Sequence, residues 1–421
     1  MTTETTSASS TSALSALPLD RDFNLLWFAR AASDAGTAIA MGALALIAVR
    51  TLEATTLQVS LLTAVAGLVG AALALPLGPF LEAQRKRPVM IAADVVRAVL
   101  FTSVPLAAAF GILSFWQLVA VSGVGALGSI AFGGASAAHL KNLVPRERRT
   151  EALGKLESTF WLLTTLGPAL GGAIIQLLGS TVTLGMQAVG LLASALGISR
   201  IRRPEPAPPP PGNRHFLAEA SAGFTVIIRD SRLRPLLLNS TLFAAFVAWI
   251  GPLEIVLLLR GLDLPAWQFG LALALPSLGG LLGSWLAPRV SRRVGEHRTL
   301  VGSAVLRGLP VLALPFLPSG LAGLVVYVIS TFLLLLIAGV FRPVYTAYRM
   351  EATDDAYMTR VTTAFTLASR GLAPLFALTG GLVATGIGVR GGLLVGVIGL
   401  ALSGLFLPWR EATSTTQVTS Q

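Results

Sequence analysis

The 421-residue chain contains no cysteine. That absence excludes disulfides, zinc–thiolate sites, iron–sulfur clusters and cysteine nucleophiles together. Histidine is nearly as scarce, with three in the chain, so no His-rich metal cluster is expected. Charge is the third scarcity: charged residues make up 12% of the sequence and hydrophobic ones 54%, and a soluble globular domain carries roughly twice that charge. The sequence also shows no nucleophile–base set and no phosphate-binding loop, which argues against an enzyme and against any cofactor.

What the chain has in quantity is long apolar runs, and the mean hydropathy is +0.75. A membrane-crossing helix needs about 20 mostly apolar residues. Twelve segments meet that length: 23–49, 57–81, 89–110, 115–140, 152–178, 181–198, 235–259, 266–287, 299–317, 321–345, 361–386 and 391–409. They are too long, and too evenly apolar, for transmembrane strands, which alternate polar with apolar over about 10 residues. In lipid each segment must satisfy its own backbone polar groups, so the segments are helices. The fold class is therefore an all-α membrane protein with twelve transmembrane helices, and the lipid bilayer is its first partner.

Basic residues fix an orientation. Of the 31 Lys and Arg, 24 fall in the termini and alternate loops on one side. The opposite loops hold Arg50, Arg260 and Arg390. Positive residues stay cytoplasmic, so both termini and the central loop are expected there, in a multi-pass protein of the inner (plasma) membrane. The net charge of +11 is thereby accounted for by short loops rather than by a nucleic-acid-binding face.

The domain plan is two six-helix halves. Residues 1–20 and 411–421 read as polar cytoplasmic tails, and the first of them lacks the apolar stretch of a signal peptide. Residues 21–198 form the first half and 235–410 the second. Between them, 199–234 holds the Pro-rich RRPEPAPPPPG, extended and semi-rigid, followed by an amphipathic helix in HFLAEASAGFTVIIRDSRL. The halves read as a duplication. The segments GPFLEAQRKRPVMIAADVVRAVL (78–100) and GSWLAPRVSRRVGEHRTLVGSAVLRGL (283–309) each run from a helix-end glycine through a basic turn to an arginine inside the next helix, Arg97 and Arg307.

Small residues recur every four positions at Gly125, Ser129 and Gly133, and at Gly279 and Gly283. That spacing predicts close approach of two helix backbones. In the fifth span, GPALGG places Pro168 between Gly167 and the Gly171–Gly172 pair. A proline removes a backbone hydrogen bond and bends the helix. The eleventh span carries a degenerate copy, Ala373-Pro374 and then Gly380-Gly381.

On these features the chain resembles the major facilitator superfamily over roughly 20–410, and within it the drug:proton antiporter branch with macrolide-efflux and enterobactin-export members. The entry RDFNLLWFARAASDAG and the segment LVPRERRTEALGKLESTFWLLTTLGPALGG are similar to that branch. The loop after the second span is similar to the family's Gly-x-x-x-Asp-Arg-x-x-Arg-Arg, a cytoplasmic latch between halves. Gly78, Lys86 and Arg87 match it, Glu82 replaces the Asp and Ala83 replaces the first Arg. A carboxylate at Glu82 still suits a helix N-terminus such as that of the eleventh span. Gly167, Pro168, Gly171 and Gly172 match the antiporter motif, which implies export rather than uptake.

Ionisable residues inside the apolar runs are the sharpest functional signal, because burying charge in a membrane is costly. They are Arg30, Asp34, Asp94, Arg97, Glu254, Arg307 and Arg370. Arg30 and Asp34 at i, i+4 share a helix face, as do Asp94 and Arg97 at i, i+3. Asp94 and Arg97 read as a structural pair beside the latch, and Arg307 as its structural counterpart. Asp34 and Glu254 are the proton-carrier candidates, with Arg370 as a partner for either acid. Phe243, Phe246, Trp249 and Tyr327 are candidates for an aromatic substrate pocket.

The reading is a monomeric, proton-driven exporter of a small amphipathic molecule such as a drug, antibiotic or other secondary metabolite. The substrate would bind between the halves. A siderophore exporter and an importer or facilitator of the same fold are the nearest alternatives. A membrane sensor or scaffold would need no buried charges.

Overall fold

The computed structural model describes residues 20–82, 84–145, 148–205, 216–354, 357–407 and 409. The tails, the Pro-rich stretch after Glu205, and the side chains of Gly78 and Glu82 lie outside what it describes. Among the described residues there is no strand. The helices alternate in direction, and the end that carries the basic loops is called here the basic end, the other the far end.

Among the described residues ten helices are long and apolar enough to cross a membrane; with the helix that starts at Thr56, and with Met358–Ser403 folded into two at Gly388, they make twelve spans. Span 1 covers Arg21–Thr51, span 2 Thr56–Glu82, span 3 Lys86–Ala109, span 4 Phe115–Leu143, span 5 Arg149–Leu178 and span 6 Ser180–Ser199. A further helix, Phe216–Arg229, precedes span 7, Leu233–Gly261. Span 8 is Ala266–Val294, span 9 Glu296–Phe316 and span 10 Gly320–Glu351. Spans 11 and 12 are two helices within Met358–Ser403, joined at Gly388, whose φ 78° and ψ 164° break the helix and turn the chain without a longer loop. A side chain is strained at that φ, and glycine is not. The separate loop that the apolar pattern places near 387–390 is thus a single glycine hinge.

Several spans depart from a uniform helix. Span 1 breaks at Gly42 (φ 85°) and ends in a π-helical turn, Ile47–Thr51. Span 7 ends in the matching π turn, Leu257–Gly261. Span 9 is α-helical only to Leu306 and finishes as a 3₁₀ helix, Pro310–Phe316. Side chains cap several starts: Thr55 accepts from the Gln58 N–H, Ser114 from the Gln117 N–H, and Asp230 from the N–H groups of Arg232 and Leu233. Each cap satisfies donors that the first helical turn leaves free.

Glycine close approaches hold neighbouring helices together. A Cβ at Gly279 would strike the Phe332 carbonyl oxygen, and one at Gly283 the Leu336 carbonyl oxygen, so spans 8 and 10 meet backbone to backbone. The other predicted stripe behaves differently. Gly125 faces the Phe101 ring, while Gly133 meets nothing within 4 Å. The glycine in contact there is Gly128, which lies on the Arg97 side chain. Accordingly Gly283→Ala should destabilise the protein by about 1–3 kcal/mol through overpacking, and Gly133→Ala should leave it unchanged. Thermal melts of the two purified variants in detergent check this; equal melting temperatures would contradict the packing.

The buried apolar residues divide unevenly along the membrane normal. At the far end they form one cluster shared by both halves, with Ala43, Ile47, Val49 and Leu184 from the first and Leu253, Leu258, Phe269 and Leu393 from the second. At the basic end they form two clusters. One lies within the first half around Phe23, Met90 and Ile198, the other within the second around Leu233, Leu300 and Val361. The halves are therefore joined at the far end and hold separate cores at the basic end. Large exposed apolar side chains such as Val99, Leu177 and Leu196 cover the outer faces, as a lipid-facing surface requires.

Candidate functional site

Two adjoining cavities lie between the halves. The first, about 380 Å³, is lined by Thr63, Gly67 and Ala71 of span 2, Ala244 and Ala248 of span 7, and Ser369, Arg370 and Pro374 of span 11. The second, about 540 Å³, continues along spans 2 and 11 through Leu68, Ala72, Thr362, Thr363, Thr366 and again Arg370. Gly70 and Ala71 line both. Volumes of this size suit a small organic ligand. Spans 2 and 11 touch at the cavity wall, where Pro374 sits on Gly67, and again beyond it, where Ser60 sits on Gly381. The degenerate motif of span 11 thus makes one inter-half seam. GPALGG of span 5 makes the other: Gly172 lies against Gly270 and the Ala266 carbonyl of span 8, and Gly167 and Gly171 lie against Ala38 and Ile39 of span 1.

Arg370 is exposed on the cavity wall. It forms no ion pair with Asp34 or Glu254, contrary to expectation; both acids have other neighbours. Asp34 is bridged by Arg30 at 3.5 Å. Arg97 meets Asp94 at 3.2 Å and also donates to Ser33 at 3.4 Å and Thr37 at 3.3 Å, both on span 1. Arg97 lies within electrostatic reach of Asp34 as well, and Ser194 of span 6 stands beside Asp94. The two pairs are thus one cluster of two acids and two bases inside the first half. Asp94 is fully buried and Arg97 is 4% exposed, whereas Asp34 keeps 28% of its side chain open. The pair does not belong to the latch region at the basic end, because Arg97 reaches the middle of span 1.

The second half treats its matching arginine differently. Arg307 donates to the Asn239 side-chain oxygen at 2.7 Å, and its guanidinium stacks 3.7 Å from the Phe243 ring and 4.1 Å from the Phe341 ring. Two aromatic faces and an amide replace the carboxylate. Phe243 is therefore an arginine partner. Phe246 and Trp249 pack with Phe376 and fill the space over Gly380, Gly396 and Gly399, and the Trp249 indole donates to the Gly392 carbonyl at 2.9 Å. Tyr327 is buried in span 10 beside Glu254. All four aromatic candidates belong to or pack against the one apolar cluster shared by the halves, and none of them lines the two cavities.

Of the latch residues with described side chains, Lys86 and Arg87 engage the first half itself. Their backbone N–H groups donate to Glu205 at 2.7 and 3.1 Å, and Arg87 donates to the Ser199 carbonyl at 3.0 Å. Glu205 also lies 3.3 Å from buried His139. It caps span 3 from the linker, a role that the Pro-rich context of RRPEP concealed.

The far end carries a device that the charge count passed over. Arg50 of span 1 donates to Asp263 and to the Leu264 carbonyl, both at 2.9 Å. Arg260 of span 7 donates back to the Ala54 carbonyl at 2.7 Å and the Val49 carbonyl at 3.3 Å. Each half thus reaches into the other from an equivalent place. The signal was present in sequence as Arg50-Thr51-Leu52-Glu53 and Arg260-Gly261-Leu262-Asp263. Glu53 and Asp263 share the same rare backbone, with φ 50° and 49°. Arg390, the third far-end arginine, clamps the Pro315 and Leu317 carbonyls within the second half.

Comparison with known proteins agrees with this architecture. The sequence model of the Major Facilitator Superfamily matches residues 26–378. No curated protein matches the chain by sequence. Among solved structures, a bacterial homologue of the iron transporter ferroportin in an inward-facing state superposes with a TM-score of 0.73 at 16% identity, covering 93% of this chain and 98% of that one. The nucleoside transporter NupG gives 0.70 at 12% identity, with 92% and 98% covered. A bacterial homologue of the human lysosomal transporter Spinster, inward-facing and unoccupied, gives 0.66 at 16% identity, with 91% and 94% covered. At these identities the likeness is one of fold.

Proposed function

The chain belongs to the Major Facilitator Superfamily, and on that premise we propose that it is a secondary active transporter that exports a small amphipathic molecule by proton antiport. The observation that carries the reading is the division of the apolar core. A single cluster joins the halves at the far end, and separate clusters leave a cavity between them toward the basic end. Two halves packed together at one end and holding separate cores at the other are the parts that alternating access needs. With the basic end cytoplasmic by the positive-inside rule, this is the state that takes substrate from the cytoplasm. The direction of transport rests on the similarity of Gly167, Pro168, Gly171 and Gly172 to the antiporter motif. Asp34, partly open beside the arginine cluster, is the favoured proton carrier, and Glu254 beside Tyr327 is the second.

Orientation is testable directly because the chain has no cysteine. Glu53→Cys at the far end should react with an impermeant maleimide in intact cells. Lys141→Cys at the basic end should react only after permeabilisation, and the reverse pattern would invert the topology. For transport, inside-out vesicles with an imposed proton gradient are challenged with a panel of amphipathic compounds. Uptake of at least one, abolished by an uncoupler, is the expected result. Uptake that ignores the uncoupler points to a facilitator instead.

A further inference from the structure

We infer that the transported molecule carries a negative charge, a carboxylate or similar oxyanion, which pairs with Arg370 while its apolar body lies between spans 2 and 11. The inference deepens the transport reading and rests on it.

The cavity lining is the argument. Its walls are apolar and small, with Gly70, Ala71, Ala244 and Ala248 leaving room for a flat or branched hydrocarbon body. Arg370 lines both cavities and is the sole charged residue among the described lining residues. Thr362, Thr366 and Arg370 follow each other at i, i+4, i+8, so they share one helix face and lead from the basic end of span 11 to the guanidinium. An arginine in the middle of a membrane span is costly unless it has a partner or faces water. Here the acids that would neutralise it are used elsewhere: Asp34 and Asp94 balance Arg30 and Arg97, and Glu254 lies beside Tyr327. The described cavity lining therefore has a net positive charge and a planar fork of donors, which match an oxyanion. A cationic amphiphile would meet a like charge and no carboxylate on these walls.

The test uses three compounds of one shape: biphenyl-4-carboxylate, biphenyl-4-carboxamide and 4-biphenylmethylammonium. Binding to the purified full chain is measured by calorimetry in phosphatidylcholine nanodiscs. The wild type should bind the carboxylate about tenfold to a hundredfold more tightly than the amide, and the ammonium most weakly. Arg370→Gln should erase the difference, and Arg370→Lys should keep part of it. Repeating the titration with phosphatidylglycerol present separates two sources of the anion. Competition that needs Arg370 identifies a lipid headgroup as a natural occupant, and undiminished binding identifies a soluble one. Equal affinities, no carboxylate binding by the wild type, or a preference that survives Arg370→Gln overturns the inference. If the vesicles above move compounds and the carboxylate has no advantage, this inference falls and the transport reading stands. If the preference holds on Arg370 and nothing is moved, the transport reading falls and the anion site stands.

Discussion

Replacing Arg260 by alanine should open the far end of the protein to water. Arg260 donates from span 7 to the Ala54 and Val49 carbonyls, across the boundary between the halves. Those carbonyls and the arginine are all near an end that must separate if the halves rock. Hydrogen bonds from a charged donor contribute about 1.5–3 kcal/mol. Their loss should therefore shift the open-to-closed ratio by about tenfold to a hundredfold. Ser60 is the natural reporter, being fully buried against Gly381 in the seam between spans 2 and 11. In a Ser60→Cys background, the rate of maleimide labelling should rise by that factor when Arg260→Ala is added. Arg50→Ala should act in the same direction, since it releases Asp263 and Leu264 from the symmetric position. An unchanged labelling rate in both would show that the apolar cluster alone holds the far end closed.

The second large effect belongs to Asp94. It is fully buried and meets Arg97, itself 4% exposed. Asp94→Asn strands a buried guanidinium, and breaking such a pair costs about 3–5 kcal/mol. Protein abundance in the membrane and the melting temperature in detergent should both fall sharply. The double variant Asp94→Asn, Arg97→Gln should recover much of the loss, because it removes the orphaned charge together with its partner. Asp34→Asn should behave otherwise, since Asp34 keeps 28% of its side chain open and Arg30 keeps 33%. It should leave the protein folded, abolish uphill efflux and retain downhill exchange, because a permanent amide imitates the protonated acid. Should Asp34→Asn instead deplete the protein and Arg30→Gln restore it, Asp34 is structural and Glu254 becomes the carrier. Full proton-driven efflux by Asp34→Asn would also move the assignment to Glu254.

These expectations differ from a reading of the linear sequence for identifiable reasons. Asp94 and Arg97 are three residues apart, so their pairing was visible as a helical spacing. That they share a cluster with Asp34 and Arg30 was not, because Ser33 and Thr37 bring span 1 to Arg97 only in three dimensions. Arg97 and Arg307 occupy matching positions in the repeat, yet one meets a carboxylate and the other two aromatic rings. Duplication preserves the backbone path and leaves side-chain partners free to diverge. In sequence the aromatic residues of span 7 read as candidates for a substrate pocket. Their separation into an arginine stack at Phe243 and a packed cluster at Phe246 and Trp249 depended on Phe341, Phe376 and the glycines of span 12.

The amino-acid sequence by itself determined the class of molecule and the number of its spans. Apolar length, alternation of basic loops and internal duplication are properties of single segments or of their order, and a bilayer admits one backbone solution for each. The glycine pair at 279 and 283, and the GPALGG segment, likewise announced close helix contacts through local spacing alone. Which helices they meet was a tertiary decision, as were the shared core at the far end, the reciprocal reach of Arg50 and Arg260, and the place of Arg370 on a cavity wall without an acid. The Arg50 and Arg260 contacts join residues 213 and 206 apart in sequence, and no local pattern records which surfaces two folded halves turn toward each other.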